Sequence, residues 1–250
     1  MRAARPRVPS SSRRPAHAIL AGGLGTRLRA VSGGAPKALV PVHGRPFLEW
    51  LLVALRRRRV RRAVLCTGFG HEQIEAALGD GRRVGVLLTY SLEPSPLGTG
   101  GALALALPLL ADPFVLWNGD TFSTVDWRGL LARHVARRAL VTIAVVPAAD
   151  GREFGHVALG RDHRVVAFVE KGAAGPRLIN GGVYAISHAA LSGVTPGHPA
   201  SLERDLLPGL VARTRRVYSY HARPPVFDIG TPDRLAHFSR ELSRGRLVRP

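Results

Sequence analysis

Residues 17–28 read HAILAGGLGTRL, and the fold is decided where the apolar run ends at the glycines. A short apolar run that stops at Gly22 and Gly23 has the length and the bounding residues of a buried strand. The glycines after it let backbone N–H groups turn toward a ligand and approach it closely. Within Ala21-Gly22-Gly23-Leu24-Gly25-Thr26-Arg27-Leu28, Thr26 offers a hydroxyl and Arg27 a guanidinium, both suited to phosphate oxygens. A tight strand-to-loop turn would use the same residues. The loop matches neither G-x-x-x-x-G-K-[ST] nor G-x-G-x-x-G.

Outward from this run, apolar strand-like segments alternate with helical patterns. A helix is expected from Pro46, with Phe47, Leu48, Leu51, Leu52 and Leu55 on one face, and then the strand AVLCTG at 63–68. HEQIEAAL (helix, 71–78), VGVLLTY (strand, 84–90), TGGALALAL (helix, 99–107) and PFVLWNGD (strand, 113–120) continue the alternation. DWRGLLARHVARR (helix, 126–138) and LVTIAVVP (strand, 140–147) complete it. This order predicts an α/β fold with a Rossmann-like, doubly wound, mixed but mostly parallel sheet in three α/β/α layers. Such sheets bind ligands beyond the strand C-termini, where Gly22-Gly23, Thr67-Gly68 and Asn118-Gly119-Asp120 fall.

After about residue 150 the strands shorten to FGHVALG, RVVAFVE and NGGVYAIS, with one helix of any length at 201–211. This part is expected to form a small antiparallel subregion that completes a substrate pocket. A last helix should start at Thr231-Pro232-Asp233, an N-cap followed by proline at the first helical position. Residues 1–15 are Pro, Ser and Arg without periodicity and read as a disordered basic tail. Residues 16–250 are expected to be one domain, with a first half at 16–147 and a second at 148–245.

Hydrophobic residues make up 46% of the 250, ample for one core. No apolar run approaches the roughly 18 residues of a membrane span, and the arginine-rich start breaks at Gly22-Gly23 before a signal-peptide pattern develops. No membrane association is expected, and the cytosol is the default compartment. Cys66, the single cysteine, reads as a small core residue in a strand. The net charge of +19 raises nucleic acid as a partner. Its densest run, RRRRVRR at 56–62, instead ends an amphipathic helix, where cations complement the helix C-terminus. With 6% aromatic residues there is little for base stacking, and no specific nucleic-acid site is expected.

GGLGTRL at 22–28 followed by PKALVPV at 36–42 resembles the signature of the sugar-1-phosphate nucleotidylyltransferases, the NDP-sugar pyrophosphorylases. The resemblance continues in order through LGTGGAL (97–103), LWNGDTF (116–122), FGHV (154–157), FVEKG (168–172), NGGVY (180–184), SLERDLLP (201–208) and FDIGTP (227–232). It is most similar to the branch containing D-glycero-α-D-manno-heptose 1-phosphate guanylyltransferase. The resemblance implies a nucleotidyltransferase fold, also shared with metal-dependent glycosyltransferases, and a reaction that joins a sugar 1-phosphate to the α-phosphate of an NTP. The expected NTP is GTP, the products pyrophosphate and GDP-heptose, and the cofactor Mg²⁺. The nucleophile there is an ionised phosphate oxygen, so the task is to align two polyanions and neutralise charge, with no general base.

Residue by residue, the resemblance implies that Leu20, Ala21, Gly22, Gly23 and Gly98 meet the nucleotide through backbone and that Gly119 lies near the ribose. Gly25, Thr26 and Arg27 would cradle the triphosphate with Lys37. Asp120 and Asp228 would hold Mg²⁺ between two carboxylates and substrate oxygens. Gly155, Asn180 and Gly181 would border the sugar, Glu170 would accept from its hydroxyls, and Lys171 would hold its phosphate. Arg27, Lys37, Asp120 and Asp228 are thus the expected catalytic set, with the first half of the domain serving the nucleotide and the second the sugar phosphate. Monomer and homodimer both remain open.

Ala30 stands where many members have proline, a mark of the branch. A mannose- or glucose-1-phosphate enzyme, a glycosyltransferase and a non-catalytic sensor are the rivals. The glycosyltransferase would usually carry Asp-x-Asp, whereas Asp120 is followed by Thr121 and Phe122. His43 and His156 lack ligand spacing and read as surface or satisfied polar groups. Only two of the 36 Lys and Arg residues are lysine. Both, Lys37 and Lys171, fall in phosphate-contacting motifs, where a compact ammonium on a flexible stem suits a single oxygen.

Overall fold

Strand β1 (His17–Leu20) is buried on both faces, Ala18 on one side and Ile19 on the other, so helices must cover both sides of its sheet. The computed structural model describes residues 14–23, 25–28, 33–148, 156–169, 177–223, 225–245 and 247. The expected tail at 1–15 therefore lies almost wholly outside the described residues.

A single turn at Lys37–Leu39 leads into a hairpin, β2 (Pro41–Val42) and β3 (Arg45–Pro46), and then α1 (Phe47–Arg57). There follow β4 (Arg62–Thr67), α2 (His71–Leu78), β5 (Leu87–Leu92), α3 (Gly98–Ala106), β6 (Phe114–Asn118) and β7 (Thr121–Ser123). Next are α4 (Trp127–Ala136), β8 (Val141–Ala148), β9 (His156–Leu159), β10 (Val165–Val169) and β11 (Arg177–Ile186). A π-helical turn at Leu202–Leu206 runs into α5 (Leu207–Arg213), then β12 (Val217–His221), β13 (Val226–Asp228) and α6 (Pro232–Ser243). Thr231 caps α6 as expected, accepting from the Arg234 N–H, with proline in the first turn.

Among the described residues the main sheet runs β10-β9-β11-β6-β1-β4-β5, with β8 paired to β11 and β12. The β6-β1-β4-β5 part is parallel, and β11 pairs antiparallel with β6 and β8. The mixed sheet matches the expected class. On one face Ala18, Cys66, Leu103, Phe114, Leu116 and Tyr184 pack under α3 and α5. On the other, Ile19, Leu51, Leu52, Val115, Trp117 and Ile74 pack under α1, α2 and α4. Cys66, on the Ala18 face, is a buried core residue. A smaller core joins Phe47, Trp50, Phe122, Ile229 and Phe238, which fastens α6 and the β7/β13 pair to α1.

His17 is only 5% exposed at the start of β1. Its Nδ1 accepts from Trp117 Nε1 at 3.3 Å, and since indole only donates, that nitrogen carries no proton. Burial, assisted by Arg128, lowers its pKa from 6.5 to about 4. His134, buried against Thr142 and Ser187, is lowered to about 4 by burial first. The unfolded chain therefore binds more protons than the folded one between pH 6.5 and about 4. Stability should fall across that window as pH drops and level off below it, by about 3 kcal/mol for His17. Urea denaturation at several pH values checks this; His17→Gln should show a shallower fall, and an unchanged pH dependence would contradict it.

Candidate active site

Strand β1 is the switch point of the sheet: β4 and β5 succeed it on one side and β6 lies on the other. Leu20 is in register with Cys66 of β4 and Asn118 of β6, so the three strands end level and their loops share one crevice. The Ala21 N–H continues the β1–β4 ladder to the Cys66 carbonyl at 2.8 Å. Across the other gap the Gly119 N–H donates to the Leu20 carbonyl at 2.9 Å. A Cβ on Gly119 would meet that oxygen at 2.2 Å, so this approach admits only glycine.

The two halves of the GGLGTRL and PKALVPV signature touch. Gly25 has φ +57° and leaves 2.9 Å between its absent Cβ and the Cβ of Lys37. Thr26 to Leu28 form one 3₁₀ turn, closed by Leu28 N–H to Gly25 O at 2.9 Å. Leu28 is buried and Arg27 is left exposed beyond it. Gly23 has open space around it, whereas Gly22 faces the side chain of Glu93.

Lys37 Nζ bonds Asp120 Oδ2 at 2.6 Å, with the lysine 13% exposed. Asp120 Oδ1 also accepts from Thr121 Oγ1 at 3.1 Å. Asp228 arrives from far along the chain, because β13 pairs antiparallel with β7 and sets Asp228 opposite Thr121. The Ile229 N–H then donates to the Asp120 carbonyl at 3.0 Å. Lys37 Nζ lies 3.5 Å from where Gly230 would carry a Cβ, so the ammonium sits beside both aspartate segments. Asp228 accepts from the Gly230 N–H and lies 3.6 Å from Arg234. Both carboxylates keep over a third of their side-chain surface open. The described residues hold no cluster of three or more His, Cys, Asp or Glu. A cation here would take two carboxylate oxygens and the rest from substrate and water, a donor set of the kind Mg²⁺ accepts.

On the acceptor side, β11 bulges between Asn180 and Tyr184. Gly182 takes φ +70° there, 3.2 Å from Thr121 measured at its absent Cβ, which brings the bulge beside Asp120. Gly181 lies against the Ala144 carbonyl of β8. Asn180 Oδ1 accepts from the Gly182 N–H at 3.0 Å and its Nδ2 donates to Tyr184 Oη at 2.5 Å. Gly155, Glu170 and Lys171 lie outside the described residues, as does the side chain of Thr26. Gly98, with φ +69°, packs against the Ala200 carbonyl, which accepts from the Gly100 and Gly101 N–H groups.

Two features escaped the sequence reading. Glu93, just after β5, places Oε1 beside Gly22 and Gly68, and its Oε2 accepts from the Leu97 N–H at 3.0 Å. Burial raises its pKa, against the lowering by that hydrogen bond. An acidic residue closing a parallel strand beside a glycine loop was the available signal. Second, Glu203 joins Thr99 of α3 (3.0 Å) to Tyr184 of β11 (3.2 Å). Burial and the Glu203 charge push the Tyr184 phenol well above its ordinary value, so it stays neutral and links this carboxylate to Asn180.

The nucleotidyl transferase family model matches residues 17–245, and the chain belongs to that family. It is 36% identical over 225 residues to D-glycero-α-D-manno-heptose 1-phosphate guanylyltransferase of Aneurinibacillus thermoaerophilus, covering 90% of this chain and 96% of the relative. It is 37% identical to the mannose-1-phosphate guanylyltransferase of Mycobacterium tuberculosis, covering 91% of this chain but 64% of that longer one. HddC from Yersinia pseudotuberculosis superposes with a TM-score of 0.81 at 31% identity, over 90% of this chain and 98% of HddC. HddC has also been solved with GMP-PN, and that form gives 0.79 at 30% identity over the same shares.

The contact between Gly119 and Leu20 should be intolerant of a single methyl. Gly119→Ala is expected to cost about 1–3 kcal/mol by forcing the β1 and β6 ends apart. Urea denaturation measures the loss, and a variant as stable as the parent would show that the strand ends yield freely.

Proposed function

We propose that this chain is a sugar-1-phosphate guanylyltransferase. It joins D-glycero-α-D-manno-heptose 1-phosphate to the GMP moiety of GTP, releasing pyrophosphate and forming GDP-heptose. The carrying observation is the Lys37–Asp120 pair at 2.6 Å, set at a glycine-lined switch point with Asp228 on the neighbouring strand. Relatives named for guanylyl transfer to heptose and mannose 1-phosphates, at 36% and 37% identity, support the substrate class. The chain covers nearly all of the heptose enzyme and under two thirds of the mannose enzyme, which favours heptose.

In the proposed reaction a sugar-phosphate oxygen attacks the α-phosphorus of GTP. One P–O bond forms as the bond to the leaving pyrophosphate breaks. Gly22, Gly23, Gly25 and Arg27 hold the triphosphate, and Lys37 neutralises charge that grows on it as the bond breaks. Asp120 and Asp228 would hold Mg²⁺, which supplies charge neutralisation and fixes the phosphate oxygens. Lys171 is assigned to the sugar phosphate and Glu170 to the sugar hydroxyls, with Asn180 and Gly181 bordering the sugar. Glu93 bears on base choice: guanine presents two adjacent donors, N1–H and the 2-amino group, and a carboxylate accepts from both.

Pyrophosphate release across a matrix of four NTPs and several sugar 1-phosphates tests the reading, with GTP and heptose 1-phosphate expected to be fastest. Asp120→Asn and Asp228→Asn should each lower kcat by about 100-fold or more. No release with any pair would rule out the enzyme altogether. Glu93→Gln should raise KM for GTP about tenfold and narrow the preference for GTP over ATP, with a smaller effect on kcat. An unchanged KM would remove Glu93 from base recognition.

A further inference from the structure

The arginine run at 56–62 has no part in the chemistry above, yet it does not simply point into solvent. Together with β3 and the turn before β5 it encloses a groove of about 1050 Å³, lined by Arg45, Arg56, Arg57, Arg59, Arg61 and Arg83. Three separate segments deliver these guanidinium groups to one concavity. The acid in the lining is Glu49, whose side chain is 3% exposed. It is already engaged: Arg83 binds it through both terminal nitrogens, at 2.9 and 3.0 Å, and Arg45 lies 3.6 Å away. The Glu49 charge is thus committed at the groove floor; Arg57 and Arg59, on their other side, border Asp126.

The conformation here is built. Arg59 adopts φ +65°, a left-handed turn that a non-glycine residue takes at a cost. The stem of Arg56 fills the space beside Gly85, where a Cβ would come within 2.7 Å. Arg45 is steadied over the Trp50 ring at 5.4 Å. The groove opens where β4 begins, while the catalytic crevice lies where β4 ends. A six-residue strand separates them by roughly 17 Å, so this is a second site and not an annex of the first.

From this geometry we infer that the groove binds a compact polyanion with a chain of three or more phosphates. Guanidinium forks pair bidentately with phosphate oxygens, and a cavity of this volume holds a small molecule. Nucleic acid fits less well: among the lining residues there is no aromatic ring, so bases have nothing to stack on. The ligand chemistry is shared by free oligophosphate and by the tail of a nucleoside polyphosphate. The inference reaches beyond the guanylyltransferase reading and does not depend on it, because the assay below reads binding and not turnover.

Sodium tripolyphosphate is titrated calorimetrically, at physiological salt without divalent metal, into the parent chain and into Arg59→Gln/Arg61→Gln, with Arg61→Glu as a second variant. The parent is expected to bind it in a groove site that weakens about tenfold or more in both variants. Lys37→Ala, altered at the other end of β4, should keep that site. Circular dichroism and thermal melting of the groove variants should match the parent. Adenosine tetraphosphate, run alongside, separates the sources: tighter binding than tripolyphosphate means that the nucleoside is also read. Equal tripolyphosphate affinity in the parent and in folded groove variants overturns the inference. Equal competition by sulfate at matched ionic strength overturns it too, as does displacement by an oligonucleotide at lower concentration than any oligophosphate.

Discussion

Everything at the catalytic crevice hangs on one close approach, the Gly119 N–H against the Leu20 carbonyl at 2.9 Å. Parallel pairing of β1 with both β4 and β6 makes the three strands end level, but level ends alone would leave a gap between diverging loops. The Gly119 contact extends the β1–β6 seam one step past the strands, and the Ala21 N–H does the same toward β4. The chain can then turn immediately: Asp120 follows Gly119 into the crevice and β7 begins at Thr121. A side chain at position 119 would push this seam apart and carry Asp120 away from Lys37.

The electrostatics follow from that placement. Two aspartates close to one another repel, and the ammonium of Lys37 lies beside both segments, bonded to Asp120 and near Gly230. The lysine is 13% exposed and the aspartate 38%, so the pair is shielded on the ammonium side and open to solvent on the carboxylate side, and it serves orientation more than stability. Around it stand glycines with positive φ at 25, 98 and 182. A site that must receive two polyanions gains from fixed N–H dipoles and a cation held in place, because neither has to reorganise as charge moves. Glu203 bonds Thr99 on α3 and Tyr184 on β11, so the loop at Gly98 and the bulge at Asn180 are held by one half-buried carboxylate.

Local chemistry explains which parts were legible in the sequence. Buried parallel strands read as short apolar runs, so β1, β4, β6 and β8 stood out, and glycines at strand ends marked the crevice. Helices α1 and α6 carried their faces and caps openly, as Thr231-Pro232 shows. Less was visible where structure arises from pairing between distant segments. β7 and β13 are three residues each, too short for periodicity, and the meeting of Asp228 with Asp120 depends on their register. The sequence suggested a strand from Asn180; it in fact starts at Arg177 and bulges at the glycines, which a pattern of period two does not reveal. Glu93 went unread because its meaning comes from Gly22 and Gly68, on two other strands' loops. The spacing of the arginine run shows a helix end, and only the turn at Arg82–Val84 beside it makes a concavity.

The scarcity of lysine now has a steric component as well as an electrostatic one. Lys37 begins a 3₁₀ turn after Pro36, with its stem pressed by Gly25 and its tip facing Gly230. Its path is bounded by positions where not even a methyl group is present, so the width available is that of an alkyl chain. A guanidinium is broader, planar and seeks two parallel acceptors. At Asp120 one of those acceptors, Oδ1, already receives the Thr121 hydroxyl, so a fork would have to share it. An arginine at this position would therefore have to displace either the Gly25 loop, and with it the backbone groups proposed to hold phosphate, or the Asp120 carboxylate itself. In a chain that otherwise places arginine at nearly every cationic position, the glycines on either side of Lys37 are what make the smaller head group necessary.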